Sequence, residues 1–211
     1  MIRPVHGGNL AWAATLAGCP AAAILDFSAS ISPLGPPESA LDAIRSHLSS
    51  LTAYPDPDYG ELRAALGEAL NVDPDWILPG NGSAELLTWA ALDLSKLEGT
   101  YLVTPAFGDY SRALLAFDAQ VLDCPLDLKS LDAGTGNGLV TDDLSVFNRS
   151  FVSPSLSLPV PLLNADQGLL LNNPHNPTGL LFGKQAIRPY LEQLPMVVVD
   201  EAFMDFLPPS E

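Results

Sequence analysis

Two short runs of unbroken apolar residues constrain this chain more than anything else in it. They are Gly168-Leu169-Leu170-Leu171-Asn172 and Met196-Val197-Val198-Val199, the second ending at Asp200. A strand with one wet face alternates apolar and polar residues, whereas a run without alternation reads as a strand covered on both faces, the pattern of a parallel sheet between helices. Gly183 to Leu194 supplies the crossover helix, in which Pro189 either kinks the axis or marks the first turn. Strand, helix and strand predict a right-handed βαβ unit. The expected fold class is α/β, a mostly parallel sheet flanked by helices. Ligands of such sheets gather at the carboxyl ends of the strands, where helix N-termini also point. Asn176 follows one strand and Asp200 ends the next, so both are expected on that edge.

Upstream, Asn9 reads as the cap of a small Ala-rich helix that stops at Gly18. A helix is predicted after Pro36-Pro37-Glu38, with Leu41, Ile44, Leu48 and Leu51 at helical spacing. Another follows the turn at Tyr54-Pro55-Asp56-Pro57-Asp58, with Leu62, Leu66 and Leu70 as its buried stripe. Helices over Ser83 to Leu94 and Gly108 to Phe117 alternate with strands at Tyr101 to Thr104 and near Val121. From Asp127 to about Leu163 the pattern dissolves into Gly, Ser, Thr and Pro, an irregular insertion.

The balance of 25 acidic against 9 basic residues gives a formal net charge of −16. A field of that sign repels phosphate backbones and anionic lipid, so neither nucleic acid nor membrane is an expected partner. No apolar stretch approaches the roughly 20 residues of a membrane span. Cys19 and Cys124 are too few for a disulfide framework and read as reduced thiols, hence a cytoplasmic location. A secretory reading of Leu10 to Ala17 ending at Cys19 is not expected, because Arg3 is the lone basic residue and His6-Gly7-Gly8-Asn9 breaks the apolar run.

Three motifs carry chemistry. Gly80-Asn81-Gly82-Ser83-Ala84-Glu85 precedes a helix and reads either as a glycine turn capped by Ser83 or as an anion cradle built from first-turn N–H groups and the Ser83 hydroxyl. In Asn172-Asn173-Pro174-His175-Asn176-Pro177-Thr178-Gly179 two prolines hold the chain around Asn176, so its amide can meet a ligand oxygen with little entropy left to lose. His175 is a loop residue without an assigned role. Asp200-Glu201-Ala202-Phe203 places a carboxylate on the floor of the crevice. Only Glu201 and Asp205 stand near it as metal-type partners, with no histidine pair, so a metal is not expected.

Taken in order, GNGSAE, Thr104-Pro105-Ala106-Phe107, NPHNPTG and DEAF resemble the large domain of fold-type I pyridoxal-phosphate enzymes, the class I and II aminotransferase superfamily. His6-Gly7-Gly8-Asn9, an Asp26-Phe27-Ser28 strand with Ile31-Ser32-Pro33-Leu34-Gly35-Pro36, and Tyr54-Pro55-Asp56 are most similar to its threonine-phosphate decarboxylase branch in cobalamin biosynthesis, with histidinol-phosphate aminotransferases as near relatives. The resemblance implies pyridoxal 5'-phosphate as cofactor, Asp200 at its ring nitrogen, Asn176 at its phenolic oxygen and Phe107 stacked on its face. Gly82, Ser83 and Ala84 would hold its phosphate, and Tyr54 would reach the cofactor of a second subunit, implying a homodimer. His6, Gly7, Gly8 and Ser30 would meet a phosphorylated amino acid substrate. Residues 1–35 are then an N-terminal arm that closes on substrate, and 36–211 a partial cofactor-binding domain.

The chain departs from the family pattern in several places. The lysine that carries the cofactor is expected beyond Asp200, yet none of the 11 residues after it is lysine, and Lys96, Lys129 and Lys184 sit unlike the family position. The arginines for cofactor phosphate and substrate carboxylate are also missing. The expectation is the N-terminal part of a longer enzyme, inactive by itself, with a truncated non-catalytic module as the alternative. Ser30 and Ser32 replace common asparagines of the decarboxylases. Phe203 replaces a tyrosine usual in the histidinol-phosphate aminotransferases, which favours decarboxylation over transamination.

Overall fold

Asn9 opens the first helix, α1 (Leu10–Ala17), by accepting a hydrogen bond from Trp12 N at 3.0 Å, and Gly18 closes it in the left-handed region at φ 66°. These residues come from a computed structural model that describes residues 7–32, 34–127, 158–161 and 166–207. His6 and most of the 127–163 insertion lie outside the described residues. The chain divides into two compact units, Met1–Pro79 and Gly80–Glu211, a division that falls inside the 36–211 segment of the sequence reading.

In the first unit the leucine spacing becomes α2 (Glu38–Ser46) and a separate 3₁₀ turn, Leu48–Thr52, rather than one helix. His47 is the break: its N–H is shared between the Ala43 and Ile44 carbonyls, and its Nδ1 lies 2.8 Å from the Ala43 oxygen. Before α3 (Gly60–Leu70), the Asp56 carboxylate accepts from the N–H groups of Gly60 and Asp58 at 2.7 and 3.0 Å. Those bonds hold its pKa below the usual carboxylate range. The stripe of Leu62, Leu66 and Leu70 marks a helix but not a buried face, since Leu62 and Leu70 are exposed. The expected strand at Asp26-Phe27-Ser28 does not form. Asp26 Oδ1 instead accepts from Ser28 N and Ser28 Oγ at 2.8 and 2.6 Å, a local turn that competes with extended pairing.

The second unit begins with α4 (Gly82–Leu94), followed by β1 (Gly99–Thr104), α5 (Gly108–Leu115) and β2 (Val121–Pro125). It continues with β3 (Gln167–Asn172), α6 (Lys184–Gln193) and β4 (Met196–Asp200). All strand pairs are parallel, in the order β2-β1-β3-β4. Pro189 lies inside α6 rather than in its first turn. Every β3 residue is buried, as the unbroken apolar run requires.

Alternate residues of the strands feed two cores, which makes three layers. Tyr101, Val103, Leu169, Leu171, Val197 and Val199 face α6 through Ile187 and Tyr190. Leu102, Leu170 and Val198 face the other way, against Leu87, Ala91 and Leu94 of α4 and Tyr110, Ala113 and Leu114 of α5. At Gly168 α4 approaches the sheet closely: a Cβ there would collide with Leu94 Cδ2. Leu94, at the end of α4, thus sits over the start of β3, and the helix N-terminus is left at the carboxyl edge of the sheet. Among the described residues, no helix is long and apolar enough to cross a membrane.

Candidate functional site

Register fixes the level of the site. Asn172 pairs with Asp200, so β3 and β4 end side by side. The loop after β3 is then pinned by its own side chains. Asn173 Nδ2 donates to the Phe182 carbonyl at 2.9 Å and its Oδ1 accepts from Phe182 N at 2.8 Å. The peptides before Pro174 and Pro177 are cis, and a turn over 176–178 is closed by Gly179 N donating to the His175 carbonyl at 2.6 Å. Asn176 sits half-buried at its tip, and its side-chain amide has no hydrogen-bond partner among the described residues.

His175 has a structural task that the sequence reading did not assign. It is 2% exposed, packs edge-on against Phe182 with ring centroids 6.1 Å apart, and places Nδ1 2.8 Å from Thr178 Oγ1. Burial pushes its pKa down, with the Val103 backbone opposing. The neutral ring therefore fills the space beneath the loop that presents Asn176.

Asp200 is held from two sides. Oδ1 accepts from Ala202 N at 3.0 Å, and Oδ2 accepts from the Tyr110 hydroxyl at 2.8 Å. Tyr110 lies in the first turn of α5, and β3 separates β1 from β4, so the phenol spans the end of β3 to reach the acid. The same ring meets Phe107 edge-to-face at 5.7 Å. Phe107, immediately before α5, is 37% exposed and keeps ring surface free for a ligand. Tyr110 was not singled out from the sequence. Its signal was the spacing Phe107-x-x-Tyr110, one helical turn, which puts both rings on one side of α5.

At the start of α4, Asn81 stands in the cap position without capping. Its backbone N–H and side-chain amide both turn to Glu85 Oε2, at 2.6 and 3.1 Å. The first-turn N–H groups beyond it have no side-chain acceptor, and the Ser83 hydroxyl has no partner among the described residues. Gly82 adopts φ 74° with nothing within 4 Å of where a Cβ would sit. Gly82 N donates to the Gly80 carbonyl at 2.8 Å, so the open cradle at this positive helix end consists of the N–H groups of Ser83 and Ala84 with the Ser83 hydroxyl.

The second unit thus carries Gly82, Ser83, Ala84, Phe107, Asn176 and Asp200 on elements whose ends share the carboxyl edge, with Phe107 and Asp200 linked through Tyr110. The remaining expected residues belong to the first unit. Gly8 N donates to Ser28 Oγ at 2.8 Å, and Gly7 abuts the Ser28 backbone so closely that it has no room for a Cβ. Ser30 and Tyr54 are exposed, Tyr54 fully. Of the lysines, Lys96 follows the C-terminal end of α4 and pairs with Asp93, Lys184 opens α6, and Lys129 lies outside the described residues.

The model of the family described as aminotransferase class I and II matches residues 22–211. Threonine-phosphate decarboxylase of Salmonella typhimurium is 36% identical over 212 residues, covering 99% of this chain and 52% of that protein. Histidinol-phosphate aminotransferase 1 of Cupriavidus pinatubonensis is 31% identical over 198 residues, covering 90% and 46%. The solved histidinol-phosphate aminotransferase of Sinorhizobium meliloti in complex with pyridoxal-5'-phosphate superposes with a TM-score of 0.61 at 23% identity, over 85% of this chain and 44% of that one. The chain spans about half the length of the curated relatives it matches.

The residues present fit that cofactor. A phosphate suits the uncapped N-terminus of α4, where a Cβ-free Gly82 leaves open space. A ring nitrogen needs an acceptor, and each Asp200 oxygen, engaged by one donor, retains a lone pair. The unpaired Asn176 amide can serve a phenolic oxygen.

Proposed function

The chain belongs to the class I and II aminotransferase family, which is pyridoxal-phosphate-dependent, and from that premise we propose that the full-length protein decarboxylates L-threonine O-3-phosphate to aminopropanol phosphate in cobalamin biosynthesis. The observation that carries this reading is the alignment of nearly the whole chain with the Salmonella decarboxylase. Bound pyridoxal phosphate supplies an electron sink for the pair left at a substrate α-carbon. The chain's own residues hold and orient. Beside the open turn at Gly82, Ser83 and Ala84 bind phosphate through N–H groups and a hydroxyl, Phe107 covers a ring face, and Asn176 orients the ring through its oxygen. Asp200, steadied by Tyr110 and Ala202 N, holds a proton at the ring nitrogen. Gly7, Gly8 and Ser30, with His6, receive the substrate phosphate, and Tyr54 serves the partner's cofactor in a homodimer.

Transamination of histidinol phosphate is the second reading, favoured by the histidinol-phosphate aminotransferases among the relatives. Incubating the full-length protein with L-threonine O-3-phosphate and measuring CO₂ release, beside keto-acid-dependent amine transfer from histidinol phosphate, separates the two. Release of CO₂ without a keto acid is expected. Amine transfer alone overturns the decarboxylase, and neither activity leaves a non-catalytic module.

A further inference from the structure

Tyr110 is 2% exposed within an apolar cluster, and it is the one side chain among the described residues that donates to Asp200. A phenylalanine would fill nearly the same volume without taking a hydroxyl out of water. We infer that Tyr110 is the positioning residue for the acid at the end of β4: its hydroxyl fixes the orientation of the Asp200 carboxylate across the end of β3 and leaves the remaining lone pairs for the cofactor ring nitrogen. The inference rests on the reading that Asp200 meets that nitrogen.

Three observations support it. The bond joins residues 90 apart in sequence, so it is a tertiary device rather than a local turn. Burial, and then the Asp200 carboxylate, push the Tyr110 phenol far above its ordinary range, so the hydroxyl stays a donor throughout the working pH range. The second anchor of Asp200, Ala202 N at 3.0 Å, holds only Oδ1, so loss of the phenol leaves Oδ2 without a protein donor among the described residues. Because Tyr110 also touches Phe107, the first turn of α5 ties the residue under the ring to the residue at its nitrogen.

The test uses protein expressed from the full reading frame and loaded with pyridoxal phosphate carrying ¹⁵N in its ring. The ring-nitrogen resonance and the cofactor Kd are read for wild type, Tyr110→Phe, Tyr110→His and Asp200→Asn, with circular dichroism confirming the fold. Asp200→Asn moves the resonance toward that of an unprotonated ring. Tyr110→Phe shifts it part of the way and raises Kd roughly tenfold, as expected for one hydrogen bond to a charged group. Tyr110→His, which keeps a ring and a donor, recovers part of both effects. If Tyr110→Phe leaves resonance and Kd unchanged while Asp200→Asn moves the resonance, the inference about Tyr110 is overturned and the role of Asp200 stands. If Asp200→Asn leaves the resonance in place, the reading of Asp200 fails and takes the inference with it. Should Tyr110→Phe not fold, the histidine variant decides: a wild-type fold with the resonance moved part of the way toward that of Asp200→Asn supports positioning, and a wild-type fold with resonance and Kd unmoved overturns it.

Discussion

Gly82 and Gly18 form a matched pair that isolates the phosphate cradle. Both adopt left-handed backbone, at φ 74° and 66°, and at neither would a Cβ find any atom within 4 Å. Alanine at either site therefore meets no steric clash. What it meets is the cost of holding an L-residue in that region, about 1–2 kcal/mol. At Gly18, which closes α1 in the first unit, that cost falls on stability alone. At Gly82 the same conformation shapes the first turn of α4, so an alanine that relaxes out of it re-aims the N–H groups of Ser83 and Ala84. If binding must force the backbone back, 1–2 kcal/mol corresponds to a roughly 5- to 30-fold rise in Kd for pyridoxal phosphate. Equilibrium dialysis of both variants, made in the full-length protein, measures this. Equal Kd values for Gly82→Ala and wild type, or an equal loss in Gly18→Ala, would refute the assignment of the cradle.

Two further outcomes are expected. Leu170→Ala removes a side chain that is 1% exposed at the centre of the α4/α5 core, and chemical denaturation should register a loss of about 2–5 kcal/mol. For His175 the folded pKa lies below the unfolded value of 6.5, so the unfolded chain binds the extra proton. Its contribution is complete above pH 6.5 and is lost as pH falls toward the depressed folded value. Melting temperatures should decline below pH 6.5, before the carboxylates titrate, and a His175→Gln variant should show a flatter slope there.

What the sequence disclosed, and what it concealed, follows from the range of each interaction. The runs at 168–172 and 196–200 were readable because apolar residues facing a core on each side leave no polar alternation, although only β3 is fully buried and β4, at the edge of the sheet, is half-buried. Asn9 and Gly18 were readable because a cap is satisfied within three or four residues. Periodicity foretold α2 and α3 but not the exposure of their leucines, since spacing defines a face and only tertiary contact covers it. The strand at 26–28 failed because Asp26 found a nearer donor in Ser28. Tyr110 could not be paired with Asp200 from residue types, as their partnership depends on strand order. His175 was hidden for another reason: a proline-flanked loop reads as solvent-exposed, yet Asn173 folds this one inward onto Phe182.

On the proposed assignment, the two cores flanking the sheet answer for different halves of the cofactor. The loop bearing Asn176 leans on Phe182, which belongs to the core beneath α6, whereas Asp200 is tethered to Tyr110 in the core beneath α4 and α5. If Asn176 and Asp200 meet the ring as proposed, repacking under α6 should disturb the grip on its oxygen side, and repacking under α5 the grip on its nitrogen side. Remote substitutions can thus retune the two grips separately, which gives a lineage drifting between neighbouring chemistries a way to adjust one handle at a time.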